Sequence, residues 1–160
     1  MDKNSIFKIL ENIPDPEIPV VNIVELGMIK DVLVNDNNEI VVQIMPTYTA
    51  CPATWQIQND IQKKLSENNL NAKVEIVYSP AWTTDRITPE ASEKLKKYGI
   101  APPQKNGTIH QLTEQSVVIP CPHCGSTNTK LVSPFGSTPC KALMQCNDCL
   151  EPFDYFKCHL

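Results

Sequence analysis

Met45-Pro46-Thr47-Tyr48-Thr49-Ala50-Cys51-Pro52 lies between an apolar run, Ile40-Val41-Val42-Gln43-Ile44, and a segment of helical period that begins near Ala53. The run is rich in β-branched residues and reads as a strand, whereas Ile57, Ile61 and Leu65 recur at helical spacing. Pro46 and Pro52 bracket a turn that neither element can absorb, and Pro52 suits a first helical position, where no N–H is needed. Cys51 is therefore expected at or just before a helix N-terminus. The partial positive charge of a helix end and its free N–H groups favour a thiolate over a thiol. Such a sulfur reads as a nucleophile or a metal ligand, the alternative being a buried structural cysteine.

Outward from this turn the pattern stays clear. Gly27 to Val34 reads as a strand, Asn35-Asp36-Asn37-Asn38 as a turn and Glu39 to Met45 as a second strand, which predicts an antiparallel hairpin. A helix from Pro52 to Asn68 follows, then a third strand over Lys73 to Tyr78 with Val74, Ile76 and Tyr78 on one face. Ser79-Pro80-Ala81-Trp82 leaves that strand, and the Trp82 ring either lines a site or seals the core edge. Thr88-Pro89-Glu90 starts a further helix and Gly99 stops it. Ahead of the hairpin, Ile6, Ile9, Leu10 and Ile13 line one face of a first helix, with Asn4 or Ser5 as its cap and Pro14 as its stop. The predicted order is α-β-β-α-β-α, an α+β layer fold.

Between first helix and hairpin stands Pro14-Asp15-Pro16-Glu17-Ile18-Pro19. Three prolines in this short run forbid regular structure and hold the Asp15 and Glu17 carboxylates in a nearly constant relation. The plain alternative is a solvated turn.

The strongest chemical signal is Cys121-Pro122-His123-Cys124 followed by Cys146-Asn147-Asp148-Cys149. Two C-x-x-C pairs at this separation match a four-thiolate zinc site, because each short spacing converges two sulfurs on one ion. Val117 to Pro120, Lys130 to Ser133, Lys141 to Gln145 and Pro152 to Phe156 read as strands around these knuckles. The expected organisation is an α+β domain over 1–99, a linker over 100–116 and a β-rich zinc ribbon over 117–160. So short a ribbon cannot hold a core of its own securely, so its metal should fold it. A closed four-cysteine site has no open position and is structural; iron, or an iron–sulfur cluster, is the chemical alternative. Cys140, Cys158, His123 and His159 are left over, with packing as their default.

Composition bounds the rest. Hydrophobic residues make up 41% and charged residues 20%, the profile of a soluble globular protein. A net charge of −4 argues against a broad nucleic-acid surface, and the four thiolates add further negative charge to the ribbon. No apolar run suggests a signal peptide or a membrane span. Seven cysteines without an export signal point to reduced thiols, metal binding and a cytoplasmic location.

Asp15-Pro16-Glu17, Thr47 to Pro52 ending in Cys-Pro, and Pro80-Ala81-Trp82 before the last helix together resemble the metal–sulfur cluster assembly factor family, also called domain of unknown function 59. Tyr98 to Pro103, Phe135 to Leu143 and Glu151 to Cys158 extend the resemblance over nearly the whole chain, to the PaaD-type proteins, fourth components of bacterial ring-1,2-phenylacetyl-CoA epoxidase systems. The resemblance implies an accessory or maturation role in phenylacetate breakdown, with the epoxidase oxygenase and reductase subunits as partners. It carries over Asp15, Glu17, Thr49 and Cys51, with Cys51 as the reactive thiol or the residue that binds iron or an iron–sulfur cluster transiently.

A single cysteine cannot hold a cluster, so partner thiols or a homodimer are required. Phe153, Tyr155 and Phe156 are candidate anchors for a client, or core of the ribbon. A zinc-ribbon nucleic-acid-binding or general protein-interaction module is the alternative function. A stand-alone cysteine enzyme would need a base beside the thiol, yet His110, His123 and His159 all lie in the linker or ribbon.

Overall fold

The computed structural model describes residues 2–35, 39–104 and 117–157. They fall into two compact units, Met1–Trp82 with Arg86–Thr88, and Thr83–Asp85 with Pro89–Leu160.

In the first unit, helix α1 (Lys3–Leu10) buries Ile6 and Leu10, two members of the apolar face read from the sequence. Its cap is neither Asn4 nor Ser5: the Asp2 carboxylate accepts the Ser5 N–H at 2.9 Å, taking up one of the free donors of the first turn. Strands β1 (Ile29–Val34) and β2 (Ile40–Ile44) form the expected antiparallel hairpin. β1 starts two residues later than predicted because Gly27 is in the left-handed region, at φ +65°. A Cβ there would meet the Arg86 carbonyl oxygen at 2.4 Å, so only glycine fits the position.

Helix α2 (Thr54–Glu67) crosses from β2 to β3 (Ala72–Ile76), and the crossover makes β2 and β3 parallel. The sheet order is β1-β2-β3. Ile57, Ile61 and Leu65 of α2 are buried with Val42 and Ile44 of β2. Each such side chain contributes about 2 kcal/mol by leaving water. β3 ends at Ile76, so Tyr78 is 54% exposed rather than part of the predicted inward face. Trp82 is buried, and its indole N–H donates to the Leu26 carbonyl at 2.9 Å; the ring seals the core edge.

The segment between α1 and β1 has no regular elements but is packed throughout. Ile13, Ile18, Val21, Ile23, Leu26 and Met28 are all buried. Backbone bonds from Ile23 N to Ile13 O at 3.1 Å and from Asp15 N to Val21 O at 2.9 Å close its loop.

In the second unit a short 3-10 turn (Thr84–Arg86) straddles the division and is followed by α3 (Pro89–Lys97). Gly99, at φ +88°, ends α3 and passes the chain into β4 (Ile100–Ala101). β4 pairs parallel with β7 (Pro152–Phe156), which pairs with β6 (Lys141–Cys146), and β6 with β5 (Thr129–Ser133), in the order β4-β7-β6-β5. Contacts therefore group α3 with the ribbon. The strand predicted over Val117 to Pro120 is absent. Ile119 is fully buried, its carbonyl accepts the Thr129 hydroxyl at 2.7 Å instead of joining a ladder, and Pro120 has no N–H to give. The ribbon core comprises Ile119, Cys121, Met144, Cys146, Phe153 and Tyr155 among others. With Phe156 also buried, Phe153, Tyr155 and Phe156 are core rather than exposed anchors.

Candidate functional site

The turn after β2 sets Cys51 three residues ahead of α2. Cys51 N donates to Tyr48 O at 3.0 Å, and Cys51 O accepts Thr54 N at 3.2 Å, so the backbone on both sides of the sulfur is tied down. Pro52 is not the first helical residue: Ala53 is the cap and the helix begins at Thr54. The thiol is half-buried.

The Asp15 side chain is buried and turns back on its own loop, Oδ1 accepting the Glu17 N–H at 2.9 Å and the Ile18 N–H at 2.8 Å. This Asx turn needs a side-chain acceptor at 15 and the prolines at 14, 16 and 19 to limit the chain. It places Glu17, half-buried, and Asp15 where the charge of each acts on the Cys51 sulfur.

The electrostatics run against the expected thiolate. Burial pushes the Cys51 thiol up, and the Glu17 and Asp15 charges push the same way; the Ala53 N–H and the Thr54 hydroxyl favour the thiolate but are outweighed. Helix-end donors are present, as the sequence implied, but two carboxylates and desolvation win. The balance favours the protonated thiol over the thiolate.

Thr49 is exposed in the turn. The threonine beside the sulfur is Thr54, which sequence reasoning missed. Its signal was present: Thr54 is a hydroxyl on the buried stripe continued by Ile57, Ile61 and Leu65.

In the ribbon, Cys121, Cys124, Cys146 and Cys149 bring their four Sγ atoms within 4.8 Å of one another. Cys121 and Cys149 sulfurs are 3.8 Å apart, and Cys124 and Cys146 sulfurs 3.6 Å. A tetrahedron with Zn–S bonds of about 2.3 Å has edges of about 3.8 Å, so the donor set fits that ion. Gly125, at φ +78°, turns the first knuckle, and its N–H donates to the Cys121 carbonyl at 2.9 Å. Leu150, at φ +66°, stands at the corresponding place after the second knuckle. Asp148 braces the pair, accepting from Asn128 Nδ2 at 2.8 Å and from the Ser126 hydroxyl at 2.5 Å. The Cys149 N–H, with that of Asp148, holds the Cys146 thiol down at about 7. The Glu151 N–H favours a Cys149 thiolate, but burial and the neighbouring sulfurs override it and push that thiol up to about 12. Uncompensated by a cation, the quartet cannot carry four charges at neutral pH.

Among the described residues no other group of three or more cysteine, histidine or carboxylate ligands is so assembled, Cys51 with its carboxylates included. His123 packs at the end of α3, its Cε1 3.2 Å from where a Gly99 Cβ would stand. Cys140 is buried with its sulfur 3.1 Å from the Thr138 hydroxyl. Cys158, His159 and His110 lie outside the described residues.

Comparison with known proteins finds one family model within each unit. Residues 3–76 fit the family model described as iron-sulfur cluster assembly protein, and residues 105–157 that of the PaaD zinc beta ribbon domain. The chain is 44% identical over 156 residues to the D component of the putative 1,2-phenylacetyl-CoA epoxidase of Escherichia coli, covering 97% of this chain and 92% of that protein. It is 30% identical to an Fe-S protein maturation auxiliary factor of Porphyromonas gingivalis, over 58% of this chain and 90% of that one. The crystal structure of a domain of unknown function 59 from Bacillus anthracis aligns with a TM-score of 0.55 at 34% identity, covering 58% of this chain and 90% of that one. A cluster-assembly fold joined to a four-cysteine ribbon is thus the class that fold and site define. Within that class, the chain belongs to the PaaD family of phenylacetyl-CoA epoxidase components. No helix among the described residues is long and apolar enough to cross a membrane.

Proposed function

We propose that this protein is an accessory, maturation component of a 1,2-phenylacetyl-CoA epoxidase, taking iron or an iron–sulfur cluster transiently at Cys51 and passing it to the oxygenase or reductase subunits. The observation that carries the reading is the half-buried Cys51 sulfur facing the charges of Asp15 and Glu17. A cation is attracted by both carboxylates and displaces the thiol proton, which either carboxylate can accept. When the cation leaves, the same charges restore the neutral thiol, so the arrangement favours release as much as capture. One sulfur supplies one ligand, and the remaining ligands come from a partner's thiols or a second copy of the chain.

The ribbon quartet has the opposite character. Cys121, Cys124, Cys146 and Cys149 close a complete coordination sphere, so the zinc they hold supplies folding energy rather than chemistry. Division of labour between the two kinds of sulfur is tested by metal and sulfide analysis of anaerobically purified protein beside Cys51→Ala. Loss of iron with zinc retained is the expected result; iron that stays with Cys51→Ala, or zinc that leaves with it, contradicts the reading.

A further inference from the structure

Thr54 is 8% exposed, and its Oγ1 is the one buried side-chain oxygen or nitrogen among the described residues without a hydrogen-bond partner of ordinary geometry. A buried hydroxyl left in that state costs stability, and valine would fill the same space without the cost. The hydroxyl is not pointed away from chemistry. Thr54 follows Cys51 by one turn, bonded to its carbonyl through the backbone, and its hydroxyl, like the Ala53 N–H, acts on the sulfur to favour negative charge there. The Thr54 backbone is already occupied, its N–H donating to Cys51 O at 3.2 Å, so only the hydroxyl is in reserve.

A neutral thiol is a weak acceptor and gives a hydroxyl donor little to bind, whereas a metal-bound sulfur carries negative charge and accepts well. The carboxylates cannot substitute here, since they accept and do not donate when ionised. Resting on the reading of Cys51 as the sulfur that takes iron, we propose that Thr54 Oγ1 donates a hydrogen bond to the Cys51 sulfur in its iron-bound form and so makes Thr54 a positioning residue for that ligand. The hydroxyl without a well-formed bond is then the cargo-free state of the site.

The test uses the full-length, zinc-loaded protein under anaerobic conditions, titrated with ferrous iron alone. Wild type, Cys51→Ala, Thr54→Val and Thr54→Ser are compared for bound iron and for Tm without iron. Outer hydrogen bonds to a metal ligand are worth about tenfold or more in affinity, so Thr54→Val is expected to bind iron about tenfold more weakly and Thr54→Ser nearly as wild type. Iron-free Thr54→Val is expected to melt a few degrees above wild type. Wild-type iron affinity in Thr54→Val, with iron lost from Cys51→Ala, overturns the role of Thr54 and leaves that of Cys51 standing. Equal iron in wild type and Cys51→Ala removes the reading of Cys51 itself. A lowered Tm in Thr54→Val shows that the hydroxyl already has a partner and also overturns the proposal. Should the valine variant not fold, Thr54→Ala takes its place, with the same tenfold loss expected and wild-type affinity counting against it.

Discussion

The sulfurs of Cys124 and Cys146 stand 3.6 Å apart across 22 residues of chain, at the edge length of a thiolate tetrahedron. The two knuckles are brought together by β5 and β6, whose pairing runs from Thr129 opposite Cys146 to Ser133 opposite Leu143. Replacing Cys124 or Cys146 with Ser leaves three ligands and an incomplete sphere. Zinc is expected to be lost, together with the amide protection of β5, β6 and β7. Full protection without metal, by hydrogen exchange, would show that the ribbon folds unaided.

Cys51→Ala removes a half-buried sulfur from a turn that the backbone bonds Cys51 N to Tyr48 O and Thr54 N to Cys51 O hold without it. Thermal stability should change by no more than about 1 kcal/mol and zinc should be unchanged, while iron binding and support of the epoxidase disappear. A collapse of Tm in this variant would instead identify Cys51 as core.

Glu17 bears on the reactivity of the same sulfur. Its charge raises the Cys51 pKa, so Glu17→Gln should lower that pKa and speed alkylation by iodoacetamide at pH 8 by a few-fold. The accompanying stability term has a definite sign. Because the folded thiol holds its proton more tightly than the unfolded one, its contribution is full below the ordinary cysteine value and is lost as pH rises through the folded value. Alkylation of Glu17→Gln no faster than wild type would separate the carboxylate from the thiol.

Lys157 gives the ribbon a pH dependence of the opposite sign. Its side chain is fully enclosed, donates to the Pro134 carbonyl and sits 4.0 Å over the Phe135 ring. Burial pulls its pKa down to about 8, against which a negative Cys140 works in part. The unfolded chain therefore binds the proton more tightly, so ribbon stability should climb from about pH 8 and level off near the free lysine value of about 10.4. Lys157→Met should flatten the stability profile across that window, measured by thermal melts of the zinc-loaded protein; an unchanged slope would trace it to another group.

Much of this was legible along the chain. Period and punctuation located all three long helices to within a few residues: Ile57, Ile61 and Leu65 mark α2, and Pro89 and Gly99 bound α3. The hairpin and the quartet could be read for the same reason, that spacing along a chain is itself a geometric constraint. Reading failed where a residue's role depends on distant neighbours. β4 has two residues and no pattern, and exists because β7 offers an open edge. Phe153 and Tyr155 read equally as anchors or as core, and only the assembled sheet shows that they are enclosed. The segment from Ile13 to Met28 has neither period and is nevertheless core, held by backbone bonds across its own loop.

By itself the sequence determined the α+β order, the hairpin, the ligands of the quartet and the candidacy of Cys51, all of which rest on local spacing and residue type. Only the tertiary structure decided the state of the Cys51 sulfur. A helix start alone favours the thiolate, but the folded chain buries the thiol and brings Glu17 and Asp15 to bear on it from more than thirty residues away. Coulomb energy depends on distance through space, and no pattern along the chain records it. Thr54 could be read as a hydroxyl on a buried stripe, but that it lacks a partner is known only once every possible partner has been placed.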